Sequence, residues 1–201
     1  MKKNKFFLTI AFVFALSFSS LAQGGGVWNF TWDIGFPIGS TSDFISKTSM
    51  RGFAIEGRGY VTDRLLVGGR GSWNTFYENF GWVTEDIEGT SATINGYKRR
   101  YMNVVPLMVT GHYEFGNGIV LPYVGVGLGT YYIETRDFMG IYYVQQKAWH
   151  FGVYPEVGVV IPFGSSNTGV NINAKYNYAA KTSSTDAQSW ISLGVGLSYI
   201  F

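Results

Sequence analysis

The chain has 201 residues, room for one domain or two, and carries 15 Lys and Arg against 13 Asp and Glu with no Cys. That near-balance excludes a global basic field for nucleic acid, and the absence of Cys excludes a disulfide framework and a lipid-anchored lipoprotein. Aromatics reach 18%, charged residues only 14%, and there are 27 glycines; a soluble domain has about 25% charged residues, so the composition favours strands in lipid over helices in water.

The first element is a targeting segment. Lys2, Lys3 and Lys5 precede an apolar run from Phe6 to about Phe18, closed by Ser20-Leu21-Ala22. A positive start, a short apolar stretch and small residues before a cut predict a signal peptide over 1–22. The apolar run is too short for a spanning helix, which wants about 20 residues. Its removal takes three lysines and leaves 12 basic against 13 acidic side chains, a net charge of −1. Residues 23–201 then form one domain.

Eight segments alternate with period two, the pattern of strands with unlike faces. In 27–36, Trp28, Phe30, Trp32, Ile34 and Phe36 oppose Asn29, Thr31, Asp33 and Gly35. In 53–61, Phe53, Ile55 and Val61 oppose Ala54, Glu56, Arg58 and Tyr60. From Leu65, Val67 and Trp73 oppose Arg70, Ser72 and Asn74. The fourth segment, 100–115, puts Tyr101, Val105, Leu107, Val109 and Tyr113 against Thr110, His112 and Glu114. There Asn103 falls on the apolar side, and Pro106 sits mid-strand against the usual rule. A Gly116-Asn117-Gly118 turn follows, with the Asn-Gly hairpin signal. In 120–134, Val124, Val126 and Leu128 oppose Tyr123, Gly125, Gly127 and Gly129; glycine at every second place is poor helix chemistry. In 148–161, Trp149, Phe151, Val153 and Val157 oppose His150, Gly152, Tyr154 and Glu156, with Pro155 read as a bulge. Val170, Ile172 and Tyr176 oppose Asn171, Asn173 and Lys175, and Ile191 to Phe201 alternates with Ser192, Gly194, Gly196 and Ser198.

Short turns near Asp63, Asn117 and Gly164 alternate with longer polar loops at about 39–50, 78–98, 136–145 and 180–188. Short turns on one side and long loops on the other mark an outer-membrane barrel with external loops and periplasmic termini. The polar face has about one charge per strand, too few for a solvated surface, and glycines that suit a crowded lumen. An eight-stranded barrel is only just wide enough for side chains to fill. Trp28, Tyr113, Trp149 and Tyr199 lie towards strand ends, where amphipathic rings favour the membrane interface. The expected fold is all-β: an eight-stranded antiparallel up-and-down transmembrane β-barrel.

These features, with the ending Leu193-Gly194-Val195-Gly196-Leu197-Ser198-Tyr199-Ile200-Phe201, resemble the small bacterial outer-membrane β-barrel family of the OmpA/OmpX type. The resemblance covers essentially the whole chain from Val27. It implies that Tyr199 and Phe201 present the signal read by the barrel-assembly machinery. Family members include structural proteins, adhesins and narrow pores, so the fold leaves function open.

Inward positions hold three acids, Asp33, Glu56 and Glu156, and three bases, Arg58, Arg70 and Lys175. Unpaired charges in a narrow lumen are costly, so the expectation is a salt-bridge network that plugs the barrel; a selectivity constriction is the rival. Two histidines, His112 and His150, without cysteines do not make a metal cluster at ligand spacing, and no cofactor is expected. Some outer-membrane lipid-modifying enzymes pair His with Ser, but no Ser lies near His150 in sequence; a structural histidine is expected. Lys98, Arg99 and Arg100 fall at the outer rim, where cations would meet lipopolysaccharide phosphates. The second long loop, with Phe80, Trp82, Glu85, Asp86 and Glu88, is the candidate for an extracellular partner. The expected function is a non-enzymatic, monomeric structural or surface-interaction protein, with a narrow pore as alternative and a lipid-modifying enzyme third.

Overall fold

The computed structural model describes residues 25–86, 93–116 and 118–201; the expected signal peptide, Glu88 and the Asn117 turn lie outside them. Eight strands run β1 (Gly26–Ile38), β2 (Gly52–Tyr60), β3 (Leu65–Asp86), β4 (Thr93–Glu114), β5 (Leu121–Met139), β6 (Tyr142–Pro162), β7 (Thr168–Ala179) and β8 (Gln188–Ile200). A five-residue helix, α1 (Ser40–Phe44), follows β1. Every strand pairs antiparallel with its sequence neighbours, and β1 closes on β8 from Val27↔Ile200 to Ile38↔Ser189. Closure leaves no edge within the barrel, which is what hydrocarbon requires of a spanning sheet.

Alternation sorts the side chains as the pattern predicts. Phe30, Trp32, Ile55, Leu107, Val126 and Leu197 stand on the outer wall, while Asn29, Asp33, Glu56, Arg70, Thr110 and Asn173 are buried inside. Asn103 stays outside but is satisfied, accepting a hydrogen bond from Thr75 Oγ1 at 2.8 Å. Pro106 points inward, and the β3–β4 ladder is interrupted opposite it, between Gly71↔Leu107 and Asn74↔Val104. The break falls where Pro106 has no N–H to give the ladder.

Three expectations change. Pro155 makes no bulge: the register to β5 is continuous, and that to β7 is the same on both sides of the gap between Val153↔Tyr178 and Glu156↔Lys175. The bulge falls instead between Asn79 and Gly81, where Gly81 has a positive φ of 76°. Second, the expected loops at 78–98 and 136–145 are largely strand. β3, β4, β5 and β6 have 22, 22, 19 and 21 residues, against about 9–11 for a tilted spanning strand. Trp82-Val83-Thr84 and Tyr142-Tyr143-Val144 are β-branched and aromatic, and such residues extend a sheet wherever a partner strand continues. The tight β5–β6 turn is made by Gly140, with φ 59°. Third, the first loop is not a solvated loop: α1 and Ile45 fold into the barrel mouth, and Ile45 is completely buried.

The four long strands pass the ends of their short neighbours. β2 pairs with β3 only up to Asn74, and β7 pairs with β6 only from Gly152 onward. A four-stranded sheet therefore rises above the mouth on one side.

Candidate functional site

The lumen is filled in two layers. Towards the chain termini, seven strands send polar groups to one centre. Glu56 and Arg58 share a face of β2 because they are two residues apart, and Glu56 stands opposite Arg70 in the ladder. Glu156 likewise stands opposite Lys175. The Arg70 guanidinium donates to Asp33 Oδ2 at 2.6 Å and to Glu56 Oε2 at 3.3 Å. The Arg58 Nη2 atom donates to Glu56 Oε2 at 2.8 Å and lies 3.4 Å from Glu156 Oε1. Lys175 Nζ is 3.6 Å from Asp33 Oδ1. All six charges that the alternation placed inside thus meet in one buried cluster of three acids and three bases.

The cluster includes members that a charge count misses. His112 Nε2 is 3.3 Å from Glu156 Oε2 and 3.6 Å from Glu56 Oε1. The Tyr123 hydroxyl donates to Glu156 Oε1 at 2.9 Å, and its ring lies 4.4 Å from the Arg58 guanidinium. Asn171 donates to that hydroxyl at 3.1 Å, and Lys175 donates to Asn173. Their inward positions follow from alternation, but their meeting point depends on strand register, which the sequence does not display.

Towards the loops the lumen turns apolar, a feature the polar-inside reading missed. Phe76, Met102, Tyr131, Tyr154 and Trp190 form a buried core with Ile45 above it. Trp190 meets Tyr131 edge-on at 5.2 Å and Phe76 at 6.1 Å. Large rings are seated against glycines: a Cβ at Gly127 would collide with the Tyr154 ring, and one at Gly152 with the Tyr131 ring and the Tyr178 carbonyl. The sequence signal was there in Phe76, Met102, Tyr131 and Trp190 at inward positions near strand ends.

Above this layer the mouth opens as a cavity of about 730 Å³. His150 lies at its floor. Its Nδ1 is 2.7 Å from the Ala180 carbonyl, which can only accept, so Nδ1 carries a proton, and Nε2 lies 3.2 Å from Thr185 Oγ1. The hydroxyl partner is thus a threonine from the β7–β8 connection.

The basic triplet at the rim is split by the pleat. Arg99 points outward over the Phe138 ring at 4.9 Å. Lys98 and Arg100 point into the mouth: Lys98 pairs with Glu85, and Arg100 Nε donates to Asp137 Oδ2 at 2.9 Å while its Nη1 donates to the Phe44 carbonyl at 3.0 Å. Three consecutive strand residues cannot face one lipid surface, so the expected phosphate contact contracts to Arg99, and Arg100 instead ties α1 to the wall. Outside, Tyr77, Tyr101, Phe138 and Tyr143 form a cross-strand ladder with centroid spacings of 4.6, 5.8 and 5.3 Å. At the other end Tyr199 and Phe201 stack at 6.3 Å, and Phe201 exchanges backbone hydrogen bonds with Gly26 at 3.0 and 2.8 Å.

The chain has known relatives in fold. Neisserial surface protein A superimposes with a TM-score of 0.54 at 15% identity, over 89% of this chain and 97% of that one. The attachment invasion locus protein Ail of Yersinia pestis gives 0.49 at 14% identity, over 88% and 97%. The N-terminal β-barrel domain of Pseudomonas aeruginosa OprF gives 0.49 at 14%, over 88% and 99%. No curated protein matches the sequence significantly. The model of the outer membrane protein beta-barrel domain matches residues 8–201. With the closed eight-stranded barrel and its apolar outer wall, that match settles the class: the chain belongs to the outer membrane protein β-barrel family of the bacterial outer membrane.

Proposed function

We propose that this protein is a non-enzymatic surface-interaction protein with a plugged lumen, monomeric in the membrane, its termini periplasmic and its binding element the four-stranded sheet above the mouth. The observation that carries this reading is the sheet's exposed apolar surface. Ile141 is 88% exposed, Trp82 75% and Tyr142 68%. Trp82 lies on β3 and Tyr142 opens β6, both beyond the last pairs with β2 and β7, and Ile141 sits in the β5–β6 turn at the tip, where hydrocarbon does not explain them. Trp82 stands on the outer face of the sheet and Tyr142 on the face that lines the mouth; large exposed apolar side chains mark interaction sites, and a rigid sheet presents them without the ordering cost of a loop. Arg99, beside Phe138 on the outer wall, is the proposed contact for lipopolysaccharide phosphate. Tyr199 and Phe201 are the proposed signal for the barrel-assembly machinery.

The second reading is a narrow conduit, favoured by the open mouth cavity and opposed by the two filled layers beneath it. Among the described residues, the enzyme reading rests on the His150–Thr185 contact, and a catalytic pair would also need convergent donors for an oxyanion. The test is single-channel conductance of the refolded barrel in planar bilayers, with heat-modifiable gel migration as the control for folding. Silence from folded protein supports the plug; discrete, reproducible steps would sink it. Serine at Trp82, Ile141 and Tyr142 should then weaken surface attachment of cells without changing barrel stability.

A further inference from the structure

Glu56 on β2, His112 on β4 and Glu156 on β6 turn one ligand atom each towards a common point, all within 4.8 Å of one another and all fully buried. His112 Nε2 is 3.3 Å from Glu156 Oε2 and 3.6 Å from Glu56 Oε1. A tetrahedral ion with bonds of about 2.0–2.1 Å has ligand–ligand edges of about 3.3–3.4 Å. The histidine-to-carboxylate spacings are therefore close to those of a first coordination shell.

The remaining oxygens are committed elsewhere. Glu56 Oε2 is held by Arg58 and Arg70, and Glu156 Oε1 by Tyr123 and Arg58. Arginine and tyrosine thus fix each carboxylate by its far oxygen and aim the near one at His112, as outer-shell partners do at metal centres. Glu56 Oε1, aimed at this point, makes no hydrogen bond despite complete burial, and a buried carboxylate oxygen left so is costly. His112 Nδ1, Thr110 Oγ1 and Tyr154 OH are also buried without hydrogen-bond partners, so the outer shell of the histidine is open and the surroundings have polar capacity to spare for bound water.

We propose that Glu56, His112 and Glu156 bind a divalent transition-metal ion of the zinc class inside the barrel. One nitrogen and two oxygens suit such an ion better than calcium, which takes six to eight oxygens, or magnesium, which demands an octahedron of oxygens. The three bases already balance the three acids, so the ion adds charge; affinity depends on the guanidiniums staying on the far oxygens. The ion joins β2, β4 and β6, strands with no ladder between them, and acts as a clasp across the lumen. No spacing along the chain reveals it, because each ligand comes from a different strand.

The test uses the whole barrel refolded in detergent with Co²⁺ as the spectroscopic probe, then freed of excess metal. The wild type should keep about one Co²⁺ per chain, with visible d–d bands of an ion bound by protein ligands. His112→Gln should lose the bands and the metal while retaining the heat-modifiable migration of a folded barrel. If His112→Gln does not fold, Glu156→Gln takes its place, with binding at least about tenfold weaker. Folded wild-type barrel without stoichiometric metal overturns the site, as does metal that survives folded His112→Gln or Glu156→Gln.

Discussion

Replacing Arg70 with Met tests whether the charged layer holds the barrel together. The guanidinium joins β3 to β1 through Asp33 at 2.6 Å and to β2 through Glu56 at 3.3 Å, and both carboxylates are buried. Removing one partner of a buried pair costs about 3–5 kcal/mol, because the other charge is left without compensation. Here each carboxylate keeps a second cation: Asp33 has Lys175 at 3.6 Å and Glu56 has Arg58 at 2.8 Å. The cost should therefore sit at the low end, about 3 kcal/mol, which is a loss of about 100-fold or more in the folded-to-unfolded ratio. The assay is urea unfolding in phospholipid vesicles, followed by tryptophan fluorescence. Asp33→Asn, alone and combined with Arg70→Met, completes a double-mutant cycle. Removing both partners takes away the orphaned charge, so the double variant should be more stable than the sum of the singles predicts, by about 1 kcal/mol or more. A cost for Arg70→Met below about 1 kcal/mol, or strict additivity in the cycle, refutes the reasoning.

Other outcomes follow from single contacts. Gly152→Val should destabilise by about 1–3 kcal/mol through overpacking, since its Cβ meets the Tyr131 ring and the Tyr178 carbonyl; an unchanged melting temperature in micelles would contradict the close approach. Arg99→Ser should leave stability within about 0.5 kcal/mol yet reduce lipopolysaccharide co-purifying with the barrel, whereas the inward Lys98→Ser should not; equal effects would remove the directional argument. Deleting Phe201 takes away its stacking on Tyr199 and its two hydrogen bonds to Gly26. It should slow insertion catalysed by the assembly machinery in proteoliposomes more than spontaneous refolding in detergent, and equal slowing would make Phe201 a purely structural residue.

The barrel was legible because its one rule, alternation, is local. Asp33, Glu56, Arg58, Arg70, Glu156 and Lys175 could each be placed inside from neighbours one residue away. What alternation cannot supply is height. Whether Glu156 reaches Arg58 or stands a turn above it depends on register accumulated around the barrel, and no pair of sequence positions encodes that shear. The same limit hid the His112 cluster, drawn from β2, β4 and β6. Strand ends were misread for a different reason. Polarity alone reads as loop, yet Glu85, Lys98 and Asp137 are strand residues that face the mouth, and Arg136 is a strand residue paired with Glu134. Phe76, Tyr131 and Trp190 show the converse: inward aromatics there are core, because an eight-stranded lumen near its mouth is filled by side chains and not by solvent.

That two-layer filling sets what would open the barrel. On the plugged reading proposed above, the charged layer would exclude ions by occupying the cross-section with paired groups, and the apolar layer by offering no hydration. The two barriers act in series, so removing one leaves the other. Arg58→Ala takes one cation from both Glu56 and Glu156, leaving Arg70 on Glu56, and frees space near the termini, but Trp190, Phe76 and Tyr131 still close the mouth. Trp190→Ala opens the upper layer, at a cost of about 3–5 kcal/mol for a buried aromatic, but leaves the salt bridges intact. Each single variant should therefore stay silent in planar bilayers, and the pair should conduct in small, discrete steps with a preference for cations, because Glu56 and Glu156 then line the path without Arg58. Conduction by Trp190→Ala alone would show that the charged layer is already permeable and that the apolar cap is the sole gate.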